Sequence, residues 1–87
     1  MKSDLENKTV LVTGGAGGIG SYISKAFANE GAKVIVHYHN SEENAENLAN
    51  KINGTALNCD LTKSDETASL FNQITKAEGD IDVCIAN

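Results

Sequence analysis

The sequence predicts an α/β fold: a three-layer, doubly wound parallel sheet, of which these 87 residues supply the first βαβαβαβ portion in strand order 3-2-1-4. Three observations carry the prediction. Four short apolar runs alternate with three stretches whose apolar residues recur at helical spacing. Each of those stretches is long enough to cross between parallel strands. The first run leads directly into a glycine-rich turn. Right-handed crossovers place strands two and three to one side of strand one, with the first two helices on one face. A fourth strand on the other side of strand one then puts the third helix on the opposite face.

In chain order, Thr9-Val10-Leu11-Val12-Thr13 is a β-branched apolar run cut off by Gly14-Gly15, the mark of a buried strand. Ile19, Tyr22, Ile23, Ala26 and Phe27 recur at i, i+3, i+4, i+7 and i+8, which is one face of an amphipathic helix closed by Gly31. Val34-Ile35-Val36 begins a second buried strand that runs to about Tyr38. Asn40 or Ser41 is placed to cap a second helix, with Glu43 three residues beyond Asn40. Its stripe is Ala45, Leu48, Ala49 and Ile52, and Gly54 ends it. Thr55 to Cys59 is a third, weaker strand stopped by Asp60. Ser64 starts a third helix with Leu70, Phe71, Ile74 and Ala77 expected inward, and Gly79 closes it. Ile81 to Asn87 then forms a fourth strand. Residues 1–87 are expected to be the N-terminal part of a single domain, a fragment ended in its fourth strand.

The composition of 40% apolar and 22% charged residues, without proline or tryptophan, excludes a disordered chain, a collagen-like repeat and a disulfide scaffold. Seven lysines and no arginine stand against twelve acids, for a net charge of −5. That balance lacks the clustered cations that nucleic acid or an anionic membrane surface requires, so neither partner is expected. No apolar run approaches the roughly 20 residues of a membrane span. Met1-Lys2-Ser3-Asp4-Leu5-Glu6 has no apolar stretch behind its cation, so no secretory signal is read and a cytoplasmic location is expected. Glu42, Glu43 and Glu46, and Asp65 with Glu66, fall at helix starts, where acids complement the helix dipole. Cys59 and Cys84 belong to no metal-spaced cluster and are expected to be reduced, buried and unpaired. His37 and His39 would share one face of a strand but find no third ligand, so no metal is expected.

Thr13-Gly14-Gly15-Ala16-Gly17-Gly18-Ile19-Gly20 joins the first strand to the first helix. A helix N-terminus exposes unpaired N–H groups and partial positive charge, which suits a phosphate, and glycines let the backbone turn sharply and a pyrophosphate come close. The position after a strand and before a helix is the context in which G-x-G-x-x-G reports dinucleotide binding. Three patterns fit at once: Gly15, Gly17 and Gly20 satisfy G-x-G-x-x-G; Gly14, Gly18 and Gly20 satisfy T-G-x-x-x-G-x-G; Gly14, Gly17 and Gly20 satisfy T-G-x-x-G-x-x-G. The second and third resemble the classical and the extended short-chain dehydrogenase/reductases, respectively, and the loop by itself does not choose between them.

Two further segments extend the resemblance. Asn58-Cys59-Asp60-Leu61-Thr62 resembles the acidic turn of the classical family after its third strand, and Ile81 to Asn87 resembles the strand leading into its N-N-A-G motif, with Ala86 at the first asparagine and Asn87 at the second. The chain thus resembles the N-terminal portion of a classical short-chain dehydrogenase/reductase with a Rossmann sheet. This implies an NAD(P)-dependent oxidoreductase that transfers hydride to or from a carbonyl, alcohol or related C=N substrate. The resemblance makes Gly14, Ala16, Gly17, Gly18, Ile19 and Gly20 cofactor-binding candidates, with Asp60 and Leu61 at the adenine and Asn87 at the last strand. It also implies a small-molecule substrate and a homo-oligomer for the complete protein.

Strand two ends in His37-Tyr38-His39-Asn40-Ser41, with no acid before Glu42. A carboxylate there would hold a ribose 2′-OH and repel a 2′-phosphate, whereas His39, Asn40 and Ser41 all offer donors to a phosphate. The segment is similar to the H-Y-H-x-S stretch of NADPH-dependent pteridine reductases. NADP(H) is therefore favoured, with NAD(H) as the alternative, since Gly17 stands where many NADPH-dependent relatives carry a cation. The family's tyrosine, its lysine four residues on and its serine have no counterpart here: Tyr22 is expected in the core and Tyr38 has Glu42 at the fourth position. The competing readings are an extended-type nucleotide-sugar epimerase or dehydratase, whose usual acid after strand two is missing, and a non-catalytic nucleotide-binding module.

Overall fold

A computed structural model describes residues 4–87; Met1, Lys2 and Ser3, part of the segment read above as no signal, lie outside the described residues. The elements are β1 (Thr9–Thr13), α1 (Gly18–Asn29), β2 (Lys33–Tyr38), α2 (Glu42–Ile52), β3 (Thr55–Asn58), α3 (Ser64–Glu78) and β4 (Val83–Ala86). The four strands form one sheet in the order β3-β2-β1-β4, every pair parallel, as predicted. Val10 stands beside Val34 on one side and Val83 on the other, so β1 is the buried centre of the sheet.

Side chains alternate across a strand, and here the alternation separates two cores. Val10, Val12, Val34, Val36 and Tyr38 face α1 and α2, meeting Ala45, Leu48, Ile23 and Phe27. Leu11 and Ile35 face the other way and meet Leu70 and Ile74 of α3, together with Cys59. β-branched residues suit both demands at these positions, because they favour extended backbone and fill the space between sheet and helix. The start of β4 is tied to β1 by Asp82, whose carboxylate accepts the Thr9 N–H at 2.9 Å.

Four expectations about packing are corrected. On α1, Ile19 and Tyr22 are 72% and 77% exposed, while Gly20 and Ser24 are the buried residues. The helix start lies so close to the glycine turn that only small residues fit beneath it, and the inward face is rotated by about one residue from the stripe of large apolar side chains. Ala26 is exposed for the same reason. On α3, Phe71 is 38% exposed, and Ala77 is exposed, facing an unfilled depression of about 240 Å³ that it shares with Ile35, Leu57 and Gln73. Cys84 is exposed, because β4 turns Val83 and Ile85 toward the first core and Cys84 to its other face. Ser41 occupies the N-cap position of α2, yet its side chain closes no capping hydrogen bond. Both cysteines are free, as expected, with β2 and β1 lying between β3, which Cys59 follows, and β4, which holds Cys84.

Candidate functional site

The C-terminal ends of the strands converge on the glycine turn. Gly14 takes a left-handed conformation (φ 61°), which turns the chain out of β1. Its N–H donates to Nδ1 of His37 at 3.0 Å, and its carbonyl accepts the side-chain amide of Asn87 at 3.2 Å. The Gly15 N–H donates to the His37 carbonyl at 3.1 Å, and the Gly15 carbonyl accepts the Ser24 hydroxyl. Thr13 links the turn to β4, its hydroxyl donating to the Ile85 carbonyl and accepting the Asn87 N–H. The turn is thus held by β2, α1 and β4 at once.

Beyond it, α1 begins at Gly18 with Gly17 as N-cap, no side-chain cap and no acid in the first turn. The N–H groups of Gly18, Ile19 and Gly20 have no acceptor within the helix by its geometry. A Cβ on Gly18 would meet nothing within 4 Å, so the space in front of the helix is open. A Cβ on Gly20 would collide with the Gly14 carbonyl, so the helix is pressed directly onto the turn. Open donors in front and contact behind make a cradle that fits a phosphate group.

Gly14, Ala16 and Gly17 line a cleft of about 280 Å³ together with His37, Tyr38, His39, Asn40 and Ser41. The structure therefore brings the loop candidates Gly14, Ala16 and Gly17 to a single opening with the strand-two candidates His39, Asn40 and Ser41, while Gly18, Ile19 and Gly20 are not among the residues that line it. Tyr38 is buried, and burial, with Glu42 and Glu46 behind it, raises its phenol above the ordinary value. Asp60 lies across from His39, its Oδ2 at 3.8 Å from Nε2. Its Oδ1 accepts both the Thr62 N–H (3.0 Å) and the Thr62 hydroxyl (2.6 Å), and these bonds hold the carboxyl below its ordinary value. Leu61 follows on the surface, 43% exposed.

Two residues carry more here than the sequence suggested. His37 does not share a face with His39: β2 ends at Tyr38, leaving His39 exposed and His37 5% exposed beneath the turn. The available signal was a polar ring inside a buried apolar strand, which must find partners for its nitrogens. Asn87 uses its amide on the Gly14 carbonyl, a contact across 73 residues of sequence that has no local signature.

A parallel sheet in this order, with a glycine cradle at the crevice where the order reverses, defines the Rossmann class of nucleotide-binding folds. Comparison with known proteins carries this to a family. The family model for short chain dehydrogenases matches residues 8–87, and the chain belongs to that family. It is 39% identical over 88 residues to a short-chain dehydrogenase/reductase of Pestalotiopsis microspora, covering 95% of this chain and 33% of that protein. It is 36% identical over 90 residues to a trihydroxynaphthalene reductase of Pestalotiopsis fici, covering 98% and 32%. A short chain dehydrogenase from Burkholderia cenocepacia, solved in complex with NADP, superposes with a TM-score of 0.88 at 30% identity, over 94% of this chain and 36% of that one. The chain spans about a third of the length of these relatives.

Proposed function

We propose that residues 1–87 form the N-terminal, cofactor-binding part of a single domain in an NAD(P)-dependent oxidoreductase. The complete protein transfers hydride to or from a carbonyl, alcohol or C=N substrate, uses NADP(H) in preference to NAD(H), and acts as a homo-oligomer on a small molecule. The observation that carries the reading is the start of α1, which has no acid and no side-chain cap and opens on a cleft whose far wall, His39 to Ser41, also lacks a carboxylate. The NADP complex of the Burkholderia relative and the reductase activity named for the Pestalotiopsis fici protein support the same assignment.

In this reading the N–H groups of Gly18, Ile19 and Gly20 donate to a pyrophosphate, and the absence of side chains at Gly17 and Gly18 lets it approach. His39, Asn40 and Ser41 donate to a 2′-phosphate, with the Ser41 hydroxyl not committed to capping α2. Asp60, kept ionised by Thr62, accepts from the adenine amino group, and Leu61 offers an apolar contact beside it. When bound, the nicotinamide cofactor supplies or takes the hydride.

Steady-state kinetics of the full-length protein with NADPH and NADH, before and after His39→Asp, test the preference. NADPH is expected to give the higher kcat/KM, and the new carboxylate to lower it on the order of tenfold by repelling the 2′-phosphate. A higher kcat/KM with NADH, together with no loss of NADPH use in the variant, overturns the assignment.

A further inference from the structure

We infer that His37 is a positioning residue for the glycine turn, acting as the neutral imidazole with its proton on Nε2, and that the turn depends on the acceptor at Nδ1. Gly14 N–H can only donate, so the Nδ1 it reaches at 3.0 Å must be the acceptor nitrogen. The other nitrogen, Nε2, lies 2.8 Å from the Cys59 carbonyl, which can only accept. One tautomer satisfies both bonds. The ring bridges the ends of β1 and β3 from its place on β2, and the backbone of the same residue accepts the Gly15 N–H. Two bonds to the turn, from Gly14 and Gly15, and the bond that fixes the ring on Cys59 therefore pass through one residue that is 5% exposed.

A second proton on Nδ1 would set a donor against the Gly14 N–H inside a buried site, and the bond would be replaced by repulsion. The surroundings offer little to offset this. β1 and residues 14–17 bring no titratable side chain. The neighbours on β2 and just beyond it are Tyr38 and His39. The turn after β3 brings Cys59, whose thiol burial raises above its ordinary value, and Asp60. The first turn of α3 brings Asp65 and Glu66, and Glu66 is engaged with the Asp60 N–H and with Lys63.

The inference reads the same turn as the proposed function, so its test has one readout that needs no cofactor. In the full-length protein, ¹⁵N imidazole shifts of His37 are expected to show a protonated Nε2 and an unprotonated Nδ1 at pH 8, with the Gly14 amide protected from exchange. The second readout is affinity for NAD⁺, measured at pH 8. His37→Asn, whose side-chain oxygen can take the place of Nδ1, is expected to keep the Gly14 amide protected and to retain affinity. His37→Gln, which reaches only toward Cys59, is expected to lose that protection and to weaken binding on the order of tenfold. A proton on Nδ1 at pH 8, or equal behaviour of the Asn and Gln variants, overturns the inference. A correct tautomer and the expected Asn and Gln exchange behaviour, with no NAD⁺ or NADP⁺ binding, leave it standing and refute the proposed function instead.

Discussion

α1 and α3 both begin at the C-terminal edge of the sheet, and they begin in opposite ways. α3 opens with Ser64-Asp65-Glu66, two acids in its first turn, and although it too lacks a side-chain cap, Glu66 accepts the Asp60 N–H at 3.1 Å and pairs with Lys63, while the Thr67 hydroxyl returns to the Lys63 carbonyl. Its dipole is answered by its own acids. α1 opens with Gly18-Ile19-Gly20 and supplies neither acid nor cap. Glycine inside a helix costs about 0.5–1 kcal/mol relative to alanine, so α1 gives up stability at Gly18, where a Cβ would meet nothing, whereas Gly20 is required by the close approach of Gly14. The difference teaches where an external anion is to be expected. A helix start that answers its own charge leaves nothing for a ligand, and one that leaves its donors open makes room for it.

The largest test of this contrast is a pair of alanine substitutions. Gly20→Ala sets a Cβ against the Gly14 carbonyl, the Asn87 amide nitrogen at 2.8 Å and the Gly15 Cα at 2.9 Å. It is expected to cost about 1–3 kcal/mol of stability and to abolish measurable dinucleotide binding. Gly18→Ala meets no protein atom, so it is expected to leave stability unchanged or raised by up to about 1 kcal/mol, while weakening binding through its intrusion on the cradle. Urea unfolding and NADPH titration of the full-length variants distinguish the two. Equal stability losses would mean that the close approach behind Gly20 is not what the turn depends on.

Making α1 resemble α3 is the next step. Ile19→Glu places an acid in the first turn at a position 72% exposed. Stability is expected to rise by roughly 0.3–1 kcal/mol, and NADPH affinity to fall on the order of a hundredfold because the carboxylate competes with phosphate for the same field. Unchanged affinity would separate the helix start from the cofactor.

The smallest expected effect belongs to Asp60, in the turn before α3. Its folded-state value is depressed, first by the Thr62 hydroxyl and then by the Thr62 N–H. A depressed carboxylate stabilises the fold above the unfolded-state value, about 3.9, and that contribution disappears as pH falls through the lower folded-state value. Thermal melts of Asp60→Asn and the unsubstituted protein should therefore differ above about pH 4 and converge as the solution is made more acidic. A gap that widens with acid would reverse the sign and break the comparison.

The legible part of the molecule is its local part. β1 and β2 were readable because Val10, Val12, Val34, Ile35 and Val36 are apolar without interruption, as a strand covered on both faces must be. The starts of α2 and α3 were readable from their acids, and the turn between β1 and α1 from the glycines placed there. The inward face of α1 was misread because hydrophobic periodicity rewards large side chains, whereas close packing against the turn selects Gly20 and Ser24.

Sequence alone determined the element order and the carboxylate-free end of strand two, since each depends on residue type and spacing within a few positions. Tertiary structure alone decided that Gly14 is bonded to His37, 23 residues away, and to Asn87, 73 residues away. It also decided that Asp60 faces His39 and that Tyr22 and Cys84 face outward. Such contacts follow from the register of the parallel strands and the distance at which each helix settles on them. Both are set by the packing of the whole sheet, which no local pattern encodes.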